Sequence, residues 1–244
     1  MSNLVPKNIY IESETVYDSY KHLIDLFGIE NTYESKRAMI VIKNTNVFAS
    51  GMPAEVSEPY NDYYKIFTNF DLLLKKWETP YQNWYLSYSR RIMVDRKGVD
   101  LWEKAKNSLL FNEYTRRSII NTYREEDDIN DFMPSLISVQ FTIDDNKLSM
   151  ISNWRSKELF IAYPINALCM ITLMRKMFIE IKPFYAELEM GTYIEFIGGL
   201  HKNVGFSMKH DYDQNLNKLD IEQVKFYWSV VDIGREGEYD EKYK

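Results

Sequence analysis

The spacing of apolar and polar positions divides the chain into segments of two periods. Residues 16–27 carry apolar side chains at helical spacing with acids and lysines between them, which predicts an amphipathic helix. Residues 38–49 hold Met39-Ile40-Val41-Ile42 and then Val47-Phe48, and read as a strand. Two prolines make 52–59 a loop, and 61–77 read as a helix ending in Lys75-Lys76. A short helix is predicted over 99–110, and Ser118-Ile119-Ile120 begin a strand. The acidic run over 124–131 reads as a solvated loop. Residues 137–143 and 147–154 flank the turn-rich triplet Asp144-Asp145-Asn146, a hairpin signal. Residues 164–181 are apolar and rich in Leu, Met and Ile, as in a buried helix. Alternation over 191–197 predicts a strand that breaks at Gly198-Gly199. A last strand or pair of strands is expected over 221–231, followed by a polar, frayed end over 235–244. Helices and strands interleave without regular βαβ units, so the class is α+β with one principal mixed sheet and flanking helices.

Composition bounds the function more than the fold. A chain of 244 residues fits one large domain, and 1–244 is read as a single unit with a sizeable core. Aromatics reach 15%, which suits a ring-lined pocket or dimer interface and suits a tyrosine-filled core equally. The net charge of −6 argues against a broad nucleic-acid-binding surface, which requires many cations. It leaves room for a small phosphorylated ligand held by a few local cations. With one cysteine, Cys169, an intrachain disulfide or cysteine-rich metal site is impossible. His22, His201 and His210 show no metal-ligand spacing, so no metal is expected. No leader-like segment and no apolar run of about 18 residues is evident, so a cytoplasmic protein away from membranes is the default expectation.

The chemistry-bearing segments follow one another in order. Arg116-Arg117 comes first, then Pro134-Ser135 leading into Val139-Gln140-Phe141. The hairpin ends in Trp154-Arg155-Ser156, and Pro164-Ile165-Asn166 opens the apolar helix. Gly191-Thr192-Tyr193 and Gly198-Gly199-Leu200-His201 close the set. In this order and spacing the chain resembles the thymidylate synthase and pyrimidine (dCMP, dUMP) hydroxymethylase family, from about residue 48 to 209. The size, the N-terminal layout and Asp131-Phe132-Met133 are closer to the phage hydroxymethylase branch.

The resemblance implies a thymidylate synthase-like fold forming a sheet-to-sheet homodimer. It assigns Arg155 and Ser156 to the nucleotide phosphate, where an arginine fork and a hydroxyl suit a dianion. It sends Arg116 and Arg117 across the dimer interface to the same phosphate. Asn166 matches the base-reading position, where an amide favours uracil over cytosine; an N-terminal helix cap is the alternative reading. Gln140 matches a glutamine near the nucleotide, and His201 matches a histidine on the sugar hydroxyl, although Asn203 stands where a tyrosine is expected. Tyr88 lies near a tyrosine beside the nucleophile.

Ser135 stands at the position of the family's catalytic cysteine. A thiol with pKa about 8.5 supplies some thiolate at neutral pH, whereas a hydroxyl needs a dedicated base. Cys169 falls inside the apolar helix and reads as packing. The stretch 64–73 offers Thr68 or Asp71 where the family has a proton-handling glutamate, and 234–244 lacks an apolar end to close over a cofactor. Three readings stay open: a binder of a uracil-type nucleoside 5'-monophosphate that has lost carbon-5 transfer; an active methyl- or hydroxymethyltransferase-like enzyme with altered chemistry at Ser135; and a non-catalytic partner-binding dimer. Methylenetetrahydrofolate is implied as cofactor only if the family's chemistry is retained. A Cys→Ser substitution introduced by design would also place Ser135 here.

Overall fold

The computed structural model describes residues 8–27, 35–45, 88–95, 97–124, 127, 134–159 and 162–201. The expectations for Val47-Phe48, 52–59, 61–77, 221–231 and 235–244 lie outside these residues. So do Thr68, Asp71 and Asn203.

In chain order the elements are β1 (Asn8–Ser13), α1 (Val16–Phe27), β2 (Ser35–Ile42), α2 (Tyr88–Met93), α3 (Leu101–Phe111), β3 (Ile119–Asn121), β4 (Leu136–Asp144), β5 (Lys147–Trp154), β6 (Lys157–Glu158), α4 (Ala162–Ile181) and β7 (Glu189–His201). The strands form one mixed sheet in the order β1-β2-β7-β5-β4-β3, with β6 beside the end of β7. β1 runs parallel to β2 and β5 parallel to β7, while β2–β7, β3–β4 and β4–β5 are antiparallel.

Local chemistry sets the ends of the elements. Thr15 and Asp18 cap α1 reciprocally: the Asp18 amide donates to Thr15 Oγ1 at 3.1 Å and the Thr15 amide to the Asp18 carboxylate at 3.1 Å. Asp100 accepts from the Glu103 amide at 2.8 Å, so α3 begins at Leu101 rather than at 99. Asp145 and Asn146 both hold positive φ, 49° and 58°, as a two-residue hairpin turn requires.

Period-two patterning gives the sheet two unlike faces. Val139, Phe141 and Ile143 of β4, Leu148, Met150 and Trp154 of β5, and Tyr193 and Ile197 of β7 are buried and belong to one core with residues of α1, α3 and α4. The alternate positions Met39, Val41, Ile151 and Ile194 are half-buried, and Phe196 is 41% exposed.

Three expectations are corrected. β7 does not break at Gly198-Gly199 but continues to His201. A Cβ at Gly198 would lie 2.9 Å from the Arg155 carbonyl oxygen, so glycine there permits a close approach of two backbones instead of ending the strand. The strand predicted over 38–49 begins earlier, at Ser35, and ends at Ile42. The acidic run is not wholly solvated, because Asp127 is 1% exposed and paired with Arg91. β1 was absent from the sequence expectation although Ile9 and Ile11 alternate with polar residues.

Candidate functional site

The antiparallel β4–β5 pairing and the parallel β5–β7 pairing bring the start of β4 and the ends of β5 and β7 to one end of the sheet. Ser135 precedes β4, Arg155 and Ser156 follow β5, and His201 ends β7. The Arg155 amide donates to the Ser135 carbonyl at 2.9 Å, and the Arg155 Nε donates to the Pro134 carbonyl at 3.1 Å. Arg155 Nη1 also donates to Ser156 Oγ at 3.3 Å. The residue at the nucleophile position and the first phosphate-binding candidate are thus direct neighbours. Register slips between Leu136 and Ser138, and the extra residue, Ile137, accepts from the Thr122 amide at 2.9 Å. Such a bulge re-aims the chain next to Ser135.

Tyr88 of α2 reaches the same place. Its phenol oxygen meets the Ser135 hydroxyl and the amides of Ser135 and Leu136, and its ring packs edge-on against Trp154 at 5.4 Å. Burial pushes the Tyr88 phenol up, against the opposing pull of Ser135, Leu136 and Arg155. A phenol held that way is no base at neutral pH. The helix is anchored by Arg91, whose Nη1 and Nη2 bond Asp127 at 2.7 and 2.8 Å and whose Nη1 also donates to the Thr122 carbonyl at 2.8 Å. Burial raises Asp127, but the Arg91 hydrogen bonds, the Arg124 amide and the two guanidinium charges together outweigh it and hold the carboxyl below its ordinary value.

Asn166 is the fifth residue of α4 and half-buried, so it is not the helix cap. Glu158 serves the first turn instead, accepting from the Ala162 amide at 3.2 Å. The half-buried His201 is tied to the site through its carbonyl, which accepts from the Leu159 amide at 2.9 Å, while its Nδ1 lies 3.1 Å from the Gly199 carbonyl. Cys169 is buried inside α4 and its thiol is pushed up to about 12 by burial, against a weaker pull from Lys157. It is unsuited to replace Ser135 as a nucleophile.

Arg116, Arg117 and Gln140 lie elsewhere. Gln140 is five residues along β4 from Ser135, roughly 15 Å away at strand rise, and its Nε2 donates to the Arg116 carbonyl at 3.3 Å. Arg116 and Arg117 are exposed and line an open groove of about 850 Å³ with Lys104, Phe111 and Tyr114. Within one chain, therefore, Arg116-Arg117 and Arg155-Ser156 sit toward opposite ends of β4.

Sequence reasoning missed Lys157, Glu195, Arg91 and Asp127. Lys157 Nζ donates to Glu195 Oε1 at 2.8 Å, with both side chains 0% exposed. The available signal was Glu195 itself, a carboxylate at an inward position between Tyr193 and Ile197. Asp127 carried none, standing among four other acids in 124–131.

The sheet order, the helices packed on one face and the Arg-Ser pair beside the start of β4 define an α+β protein with its candidate site at one sheet end. A model of the thymidylate synthase family matches residues 61–203, more than half of the chain, and the chain belongs to that family. Its function is accordingly related to pyrimidine nucleotides, whose monophosphates are the family's substrates. No curated protein matches the chain. No described helix is long and apolar enough to cross a membrane, and no group of three potential metal ligands occurs among the described residues.

Proposed function

We propose that this chain is a thymidylate synthase-family protein that binds a uracil-type pyrimidine nucleoside 5'-monophosphate and no longer transfers a one-carbon unit to carbon 5. The observation that carries the reading is the hydrogen bond from the Arg155 amide to the Ser135 carbonyl: the phosphate candidate neighbours the residue that bears a hydroxyl where the family has a thiol. Arg155 and Ser156 hold the phosphate, Asn166 reads the base and His201 contacts the sugar. Ser135 sits against Tyr88 and Arg155, and neither accepts its proton at neutral pH. Carbon-6 addition then has no nucleophile. Methylenetetrahydrofolate would then have no activated carbon 5 to react with. The second reading, altered enzyme chemistry at Ser135, gains no support from this environment.

The separation of Arg116-Arg117 from Arg155-Ser156 supports a homodimer in which each chain lends arginines to its partner's site. The half-buried sheet face with Met39, Val41, Ile151, Ile194 and Phe196 is its proposed interface. Calorimetric titration with dUMP, UMP, dCMP and CMP tests the proposal. Uracil nucleotides should bind best. Mixing equal amounts of R155A and R116A/R117A should restore about a quarter of the sites, because a heterodimer keeps one intact set. No binding of any pyrimidine monophosphate would refute the function, and no restoration would refute the shared site.

A further inference from the structure

Lys157 and Glu195 form an ion pair sealed in the core directly beneath Arg155-Ser156. The carboxylate oxygen Oε1 of Glu195 accepts from Lys157 and from the Tyr193 hydroxyl, while Oε2 has no hydrogen-bond partner among the described residues. Tyr193 bonds Ser152 at 2.8 Å, and Ser152 accepts from the Trp154 indole at 2.8 Å. The Lys157 ammonium also lies 3.6 Å over the Trp154 ring, whose own contact is Tyr88 at the Ser135 hydroxyl.

Such a pair contributes little stability. Removing two charges from water costs several kcal/mol per ion, and apolar replacements of similar volume are often neutral or stabilising. Glu195 is not even fully hydrogen-bonded. The position of the pair is informative instead. Lys157 belongs to β6, whose residues Lys157 and Glu158 pair with Leu200 and His201 of β7. Glu195 lies in the same β7, three residues before Gly198, where the Arg155 backbone approaches closely. One bond therefore ties the strand that starts beside Arg155-Ser156 to the strand that ends in His201.

We infer that the Lys157–Glu195 pair is a positioning device for the nucleotide site, fixing Arg155 and Ser156 relative to His201 and, through Trp154 and Tyr88, relative to Ser135. The inference rests on the proposed nucleotide reading for its ligand, but the positioning of Arg155 does not. Lys157 and Glu195 touch no ligand in this account. They act through the backbone and side chains that do.

The test replaces both charges together in K157M/E195L, which keeps the volume and leaves no buried ion alone. The variant should keep its thermal unfolding midpoint within a few degrees. It should bind dUMP at least about tenfold more weakly, the worth of one well-placed charge-assisted hydrogen bond. Adding R155A should then cost less than about threefold, because the guanidinium is already misplaced. Deoxyuridine, which lacks the phosphate, should bind as to the unaltered protein. A ligand-free readout accompanies these: the Arg155 Nε–H, now bonded to Pro134, should exchange faster by NMR. If K157M/E195L does not fold, K157M/E195Q, which keeps the shape at 195 and is neutral at both positions, carries the same comparison. Unchanged dUMP affinity together with unchanged Arg155 Nε–H exchange in a folded variant would overturn the inference. If the unaltered protein binds no nucleotide, the functional reading fails alone, and the exchange measurement still decides the positioning role.

Discussion

The two sides of the site are built differently. On the β5–β6–β7 side, Arg155 is held by its amide and Nε to Ser135 and Pro134, Gly198 admits its carbonyl, and Lys157–Glu195 locks the strands below. On the β4 side, Ser135 is placed with equal care by the Ile137 bulge and Tyr88, yet Tyr88 and Arg155, its described neighbours, are no bases at neutral pH. Placement has been kept on both sides. Under the proposed function, reactivity is missing on one. On that reading the difference teaches that a binding site can outlast the chemistry it once served, because holding a phosphate needs fixed donors whereas conjugate addition needs one particular atom.

The largest effect that could break this comparison is on stability. Lys157→Met or Glu195→Leu alone leaves an unpaired buried charge and should cost about 3–5 kcal/mol in urea unfolding, with the double variant regaining most of it. Equal losses in single and double variants would show that packing, not charge pairing, dominates there. Next comes binding. Arg155→Ala should weaken dUMP by about 10- to 100-fold, and Ser135→Ala by less than about threefold, in the same titration. The reverse ranking would make Ser135 the functional residue and undo the contrast between the two sides.

A smaller effect concerns pH. Burial pushes the Lys157 ammonium down from 10.5 to about 8, against the pull of Glu195 and Cys169. Between pH 8 and 9 the unfolded chain holds a proton that the folded chain has released, so this group makes stability rise with pH, by about 1 kcal/mol. Above pH 9 the rise should stop and above pH 10 reverse, because first Cys169 and then Tyr163 and Tyr193, all raised by burial, stay neutral in the fold while their unfolded counterparts ionise. Urea unfolding at pH 8 and at pH 9 should show the rise in the unaltered protein and none in K157M/E195L.

Much of this was legible in the sequence because its signals are local. Asp145-Asn146 between two alternating runs gave the hairpin, and α1 follows the predicted 16–27. The resemblance carried by Pro134-Ser135 and Arg155-Ser156 named two segments that the fold does bring together, through the Arg155 amide and the Ser135 carbonyl. Long-range facts were not legible. A glycine pair reads as a break, and only the nearness of the Arg155 carbonyl shows why β7 runs through it. Asp127 looks like its acidic neighbours until Arg91 arrives from 36 residues away. Gln140 and Ser135 share a strand segment in sequence, but strand rise separates their side chains.

Tritium release from carbon-5-labelled dUMP, with and without methylenetetrahydrofolate, tests the central claim most directly. The account predicts that the protein binds this nucleotide, loses that binding in R155A, and releases no tritium above the rate in buffer. Release that depends on Ser135 and on the bound nucleotide would contradict it, because carbon 6 would then be under attack.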